Sequence, residues 1–313
     1  MKVVITGPTG AIGIALVKEC VARQIEVLAI CHKDSQRIGR LPKSPMVQVL
    51  ELDLQDYREF QPDTEQTDYE VFYHFAWNGT IGDVRNDMDV QHANVGYALD
   101  AVSLAKRFGC HTFIGAGSQA EYGRVEGKLC ASTPAFPENG YGIAKLCAGQ
   151  MTRIACEQVG LKHIWVRILS VYGPYDGEKT MITGTIRKLL AKEVPEFTKG
   201  EQQWDYLYSG DAAKAMYLLA EKGKDGKIYC LGSGNARPLA EYIKILRDAV
   251  DEKAPLALGA IPYANKQVMY LCADIEELQA DTGFVPGTDF EEGIRQTVAW
   301  IKQEDEHAGY DVL

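Results

Sequence analysis

The chain has no C-x-x-C pair and no Cys/His cluster at ligand spacing, although it holds eight cysteines: Cys20, Cys31, Cys110, Cys130, Cys147, Cys156, Cys230 and Cys272. That scatter excludes a recognisable disulfide framework or zinc module. It predicts reduced thiols in ordinary packing positions and no structural metal. Positive charge is scarce as well. Lys and Arg total 33 against 43 Asp and Glu, a formal net charge of -10, which argues against generic nucleic-acid or anionic-membrane binding but allows a local basic pocket. No apolar run approaches membrane length, and a strand pattern begins at residue 2 with no signal-peptide pattern before it. The expectation is a cytoplasmic protein that binds neither nucleic acid nor membrane. Internal repeats and low-complexity tracts are also missing.

What the chain does have is size and a glycine turn. Its 313 residues, 46% of them hydrophobic, can bury a large core divided between two lobes. The apolar run Val3-Val4-Ile5 breaks into Gly7-Pro8-Thr9-Gly10-Ala11-Ile12-Gly13 and then into a helix expected over 11–23. A strand, a glycine turn and a helix N-terminus let backbone N–H groups and the positive helix end approach a pyrophosphate. The spacing is G-x-x-G-x-x-G, looser than the common dinucleotide fingerprint, but its position straight after the first strand and before a second one (26–30) supplies the expected βαβ context. Gly7, Thr9, Gly10, Ala11, Ile12 and Gly13 are the candidate phosphate contacts.

Strand-like segments follow at 47–50, 71–75, 112–114 and 164–168, with helices at 90–108 and 141–158 between them. Apolar strands alternating with helices predict an α/β, doubly wound parallel sheet, whose ligands bind at the carboxyl ends of the strands. The second half is more mixed: helices near 180–192, 211–221, 238 and 290, and strands at 205–208 and 227–231.

Tyr141 and Lys145, in the run YGIAK, stand one helical turn apart on one face. A phenol ordinarily titrates too high to act as a base at neutral pH, and a nearby ammonium lowers that value. Ser118, at the end of the 112–114 strand, could hydrogen-bond the same substrate oxygen. These three residues form a candidate acid/base centre beside a nicotinamide. The second strand runs into Cys31-His32-Lys33 with Arg37 close behind and no acid before Asp34. An NAD-preferring site commonly places an acid there, so His32, Lys33 and Arg37 favour NADP slightly over NAD.

On these motifs the whole chain resembles the extended short-chain dehydrogenase/reductase family of nucleotide-sugar epimerases, dehydratases and 4-ketoreductases. Further matches are Leu52-Asp53-Leu54, where the family Asp meets the adenine; His74-Phe75-Ala76, followed by Trp77; Asn94; Ser118-Gln119-Ala120-Glu121-Tyr122-Gly123; Arg167 to Pro174; and Trp204-Asp205-Tyr206-Leu207-Tyr208. The resemblance implies a Rossmann-like cofactor domain (1–172, with later segments returning to it), a smaller mixed α/β C-terminal substrate domain (173–313) and a homodimer built on a four-helix interface. It adds Asp53, Leu54, Phe75, Ala76, Trp77, Asn94, Tyr141 and Lys145 as cofactor contacts. Trp77, Ser118, Gln119, Ala120, Ser170, Trp204 and Lys266 are the implied substrate contacts.

Departures from the pattern narrow the reaction. Gln119 and Ala120 replace the Asp and Glu with which sugar 4,6-dehydratases eliminate water. Ser170 replaces the family Asn, Trp204 replaces the phosphate Arg, and the usual R-P-G-D is absent, leaving Lys266, Arg187 and Lys188 as stand-in cations. The expected substrate is a nucleoside-diphosphate sugar. The expected activity is NAD(P)-dependent redox chemistry at its C4, foremost as a 4-epimerase and alternatively as an NADPH-dependent 4-ketoreductase of a 6-deoxy-4-keto sugar nucleotide. A non-catalytic cofactor-sensing protein is the alternative of another class.

Overall fold

The computed structural model describes residues 1–63 and 67–310. In chain order the first half contains β1 (Lys2–Thr6), α1 (Ala11–Ala22), β2 (Glu26–Cys31), β3 (Val47–Glu51), β4 (Val71–His74), α2 (Met88–Arg107), β5 (Thr112–Ser118), α3 (Gly140–Val159) and β6 (Lys162–Ile168). The second half contains β7 (Ser170–Tyr172), α4 (Met181–Leu190), β8 (Glu196–Phe197), β9 (Gln203–Trp204), β10 (Tyr206–Tyr208), α5 (Ser209–Lys222), β11 (Ile228–Leu231), β12 (Arg237–Pro238), α6 (Leu239–Asp251), β13 (Ala257–Leu258), β14 (Tyr270–Leu271), α7 (Glu276–Thr282) and α8 (Phe290–Tyr310).

Seven parallel strands form the central sheet in the order β11-β6-β5-β4-β1-β2-β3. Its inner strands are apolar on both faces because both are covered, while the edge strand β3 is largely exposed. Val3 and Ile5 pack in one cluster with residues of α1 and α5, while Val4 and Phe72 pack in another with residues of α2. The strand order reverses between β1 and β4, and ligands of such sheets enter at that switch point. Thr6 ties the two strand ends together there: its Oγ1 lies 3.0 Å from His74 Nδ1 and accepts from the backbone N–H of Phe75 and Ala76, both at 3.2 Å. Burial pushes the His74 imidazole down to about 3, so it is neutral.

Smaller pairings build the remainder: β7 with β10, β9 between β12 and β14, and β8 with β13. Aromatic rings hold them, with Phe290 4.9 Å from Tyr172 and 4.5 Å from Tyr242 between ring centroids. The strand expected at 205–208 is present as β10, starting one residue later, and Asp205 separates it from β9, which belongs to a different sheet. The buried Asp205 carboxylate accepts from the backbone N–H of Ser233 (2.7 Å), Gly234 (3.1 Å) and Ala273 (3.0 Å), and these bonds fix the corner.

Candidate active site

The first strand ends in a turn that only glycine can make. Gly7 has φ +65, and a Cβ there would lie 2.9 Å from Ala76 N; one on Gly13 would lie 2.3 Å from Gly7 O. Gly10 differs, since its would-be Cβ meets nothing closer than 3.9 Å, which leaves that side of the turn open. Gly10 is also the N-cap of α1, and no side chain caps the helix. Orphan N–H groups at an open helix start suit an anion, so the turn fits the pyrophosphate of a dinucleotide.

Next to this turn lies a cavity of about 340 Å³ lined by Gly7, Gly10, Ala11, Ile12, Gly13, Phe75, Trp77, Ser118, Tyr141 and Lys145 among others. Each catalytic candidate arrives from a different constraint. Asn139 caps α3 by accepting from the N–H of Gly142 (2.8 Å), which sets the helix start and with it Tyr141 and Lys145. Ser118 caps the turn after β5 in a capping box: its Oγ accepts from Ala120 N (3.2 Å) and Glu121 accepts from Ser118 N (2.8 Å). Ser118 and Tyr141 line the same cavity, and the Ser118 hydroxyl favours the ionised form of the phenol.

The electrostatics differ from the simple Tyr–Lys expectation. Burial raises the Tyr141 phenol above its usual value, opposed by the Ser118 hydrogen bond and by Arg85. Lys145 is buried too. Its ammonium donates to the Ala116 carbonyl (2.7 Å) and lies 3.8 Å from the Trp77 ring centroid, and burial brings it down to about 7. Without a bound cofactor the lysine is therefore itself close to losing its charge, and the phenol is not lowered by it.

A second cavity, about 270 Å³, adjoins the first and shares Leu169, Val171 and Asp176 with it. Ser170 and Trp204 line it and bond to each other, Trp204 Nε1 donating to Ser170 Oγ at 2.8 Å. Asp176 stands where the two cavities meet, accepting from Gly177 N and Thr180 Oγ1 (2.8 Å each), and burial raises it to about 6. Asp176, Arg85 and Thr80 escaped the sequence reading. They lie in irregular segments whose reach toward the site is set by the fold.

Several candidates stand elsewhere. Asn94 is buried, and both ends of its amide bond the backbone of Asn78 (3.0 and 2.9 Å), so it braces the segment after β4 instead of lining the cavity. Ala120 is buried with its carbonyl against Gly142, and Leu54 packs on the core. Gln119 is half-buried beside Ser118, outside the cavity lining, as are Thr9 and Ala76, which stay at the turn. Lys266 is exposed, and the carboxylate it acts on is Glu138, not a cavity group. Arg187 pairs with Asp305 (2.7 Å) and Lys188 is exposed. Beyond β2, His32, Lys33 and Arg37 are exposed. Asp53 accepts from the backbone N–H of Lys33 (3.0 Å), while the Lys33 ammonium pairs with Asp56 (2.6 Å). Among the described residues no group of three His, Cys, Asp or Glu side chains gathers as a metal site, and no helix is long and apolar enough to cross a membrane.

Comparison with known proteins agrees with this geometry. Residues 3–232 match the NAD dependent epimerase/dehydratase family. The chain is 22% identical to the dTDP-glucose 4,6-dehydratase of Haemophilus influenzae, an alignment covering 96% of this chain and 97% of that one. Its match to the Escherichia coli dTDP-glucose 4,6-dehydratase, 28% identical, covers 55% of this chain and about half (50%) of that one. In fold it is similar to a UDP-N-acetylglucosamine 4-epimerase from Methanobrevibacter ruminantium in complex with UDP-N-acetylmuramic acid (TM-score 0.86, 24% identity, 97% and 98% of the two chains). It is also similar to a UDP-glucuronic acid 4-epimerase from Bacillus cereus in complex with UDP-glucuronic acid and NAD (TM-score 0.84, 20% identity, 97% and 100% covered).

Proposed function

The chain belongs to the NAD-dependent epimerase/dehydratase family, and from that premise we propose that it is an enzyme of redox chemistry at C4 of a nucleoside-diphosphate sugar, acting foremost as a 4-epimerase. The carrying observation is the convergence of Ser118, Tyr141 and Lys145 on a cavity that runs along the glycine turn and shares Leu169, Val171 and Asp176 with a second cavity. A bound NAD(P) supplies the hydride acceptor and donor. Ser118 orients the C4 oxygen, Tyr141 takes and returns its proton, and Lys145 holds the cofactor ribose beside the phenol. Gln119 and Ala120 provide no carboxylates for eliminating water, which argues against a 4,6-dehydratase. A purely cofactor-sensing role would not require this three-residue convergence.

One observation favours a second reading as a 4-ketoreductase. Where the family has its phosphate Arg, Trp204 is bonded to Ser170, and Lys145 and Asp176 are the charged side chains lining the two cavities. A reductase also exchanges its cofactor each cycle, and the exposed His32, Lys33 and Arg37 beyond β2 favour NADP. Incubation with a UDP-hexose and no added cofactor tests the epimerase through formation of the C4 epimer. No conversion, with stoichiometric NADPH oxidation by a 4-keto sugar nucleotide, would establish the reductase. Tyr141→Phe should cost either activity about two to four orders of magnitude. Tighter calorimetric binding of NAD(H) than NADP(H) would remove the cofactor preference.

The reading assigns residues 1–172, with α5 and β11 returning to them, to the cofactor lobe and most of 173–313 to the substrate lobe. Its eight unpaired thiols suit a reducing, cytoplasmic setting.

A further inference from the structure

Tyr141 has a neighbour that the acid/base assignment does not use. The Arg85 guanidinium stacks on its ring with Cζ 4.5 Å from the centroid, closer than the Lys145 ammonium at 5.9 Å. On another side the Trp77 indole meets the ring edge-on at 6.2 Å. The segment carrying Arg85 is fastened at several points. Gln91 of α2 donates to the carbonyls of Gly79 (2.9 Å) and Val84 (3.1 Å), Asn94 grips Asn78, and Asn86 accepts from the N–H of Gly140 (3.0 Å), the residue before Tyr141. Arg85 itself donates to the carbonyl of Thr80 (3.2 Å), a cavity-lining residue. Among the described residues no carboxylate forms an ion pair with it, so its charge is directed at the phenol ring.

Three charged groups face Tyr141: Lys145 from its own helix, Arg85 from the segment after β4, and Glu121 from the turn after β5, which opposes ionisation; the neutral Ser118 hydroxyl favours it. Asp176 stands across the same cavity. Lys145 is buried against a carbonyl and only partly charged near pH 7, whereas a guanidinium keeps its charge at every working pH. A cation over an aromatic face is attracted to the ring, and more strongly once the ring carries negative charge.

We propose that Arg85 is a positioning residue for Tyr141: it holds the phenol ring against the Ser118 hydroxyl and supplies a constant positive charge that favours the phenolate whether or not Lys145 is protonated. This rests on the reading that Tyr141 moves the proton.

The test titrates Tyr141 directly, by nuclear magnetic resonance of the full chain isotope-labelled at tyrosine Cζ, with the signal assigned as the one that Tyr141→Phe deletes. In Arg85→Gln the transition is expected at higher pH than in the wild type, and Arg85→Lys should restore most of the difference. Turnover of Arg85→Gln should fall about tenfold at neutral pH and recover toward wild type as pH rises, with KM little changed. An unmoved Tyr141 transition in Arg85→Gln would overturn the proposal, as would a loss of turnover equal at every pH. A moved transition in a protein that converts no sugar nucleotide would instead reject the functional reading and leave the Arg85–Tyr141 coupling in place.

Discussion

Lys145 shows what the site costs the fold. Its side chain is 3% exposed, and burial has brought its ammonium from an ordinary 10.5 to about 7. A lysine that releases its proton more easily folded than unfolded works against folding wherever the unfolded chain holds that proton. Below pH 7 the lysine is charged in both states and the full burial cost is present. Between 7 and 10.5 the cost shrinks as the folded lysine goes neutral, and above 10.5 it is gone. Lys145→Met should therefore raise the melting temperature of the cofactor-free protein while abolishing turnover. The gain should be largest below pH 7 and fade toward pH 10.5, as scanning calorimetry across that range would record. A variant that melts lower than wild type at pH 6 would contradict this account.

At the scale of elements, a buried ion pair holds Ser118 in place. Glu121 accepts from Ser118 N, from Trp165 Nε1 (3.0 Å) and from Arg167 Nε (2.7 Å), and Glu121 and Arg167 are 0% and 3% exposed. The Trp165 indole fits because a Cβ on Gly115, Gly117 or Gly149 would lie 2.3 to 2.7 Å from its ring. Removing one partner of a buried pair strands the other charge, typically at about 3–5 kcal/mol, whereas removing both can be nearly neutral. Arg167→Met alone should melt well below wild type, and Glu121→Gln added to it should restore most of the loss; an additive double variant would mean that the pair is not coupled.

Parts of this network could be read in the sequence, since S-x-x-E is a capping box and an Arg inside the apolar run Ile164 to Ile168 demands a buried partner. The pairing itself could not, because Glu121, in the turn after β5, and Arg167, 46 residues on in β6, meet only through sheet order. The same holds more widely. The glycine turn, the helices of the first half and the Tyr141/Lys145 pair follow from local patterns, so the sheet and the grouping of Ser118, Tyr141 and Lys145 on one cavity were legible. Asn94 enters by likeness of motif and Lys266 as a stand-in for a missing one, and neither lines the cavity: Asn94 bonds the backbone of Asn78, and Lys266 is exposed and acts on Glu138. Asp205, expected as the first residue of a strand, forms the corner before it because three backbone N–H groups from distant segments converge on its carboxylate.

Across the whole molecule, α2 and α3 pack side by side, and α3 has two distinct faces. Ala144, Lys145, Ala148, Gly149, Thr152 and Cys156 turn inward, whereas Ile143 (54% exposed), Met151 (45%) and Ile154 (42%) form an outward stripe that continues through the exposed Cys147, with Met88 (57%) on α2. Apolar side chains repeating along one helix face are costly to leave in water. Each helix has 20 residues, hence a length of about 30 Å, and two helices packed roughly 10 Å apart offer a patch on the order of 600 Å² per subunit. That lies near the lower limit for a specific interface, and a two-fold pairing of this face with its own copy would form a four-helix bundle. Tyr141 and Lys145 face the cavity from the same helix, so the pairing would brace the catalytic residues from behind without contributing to the chemistry. Wild-type protein should therefore sediment as a dimer at micromolar concentration, and Ile154→Asp should shift it to the monomer while cofactor binding is kept. A wild-type protein that sediments as a monomer would rule out this interface. So would an Ile154→Asp variant that remains fully dimeric, because a buried aspartate with no partner cannot be accommodated at the centre of so small an apolar contact.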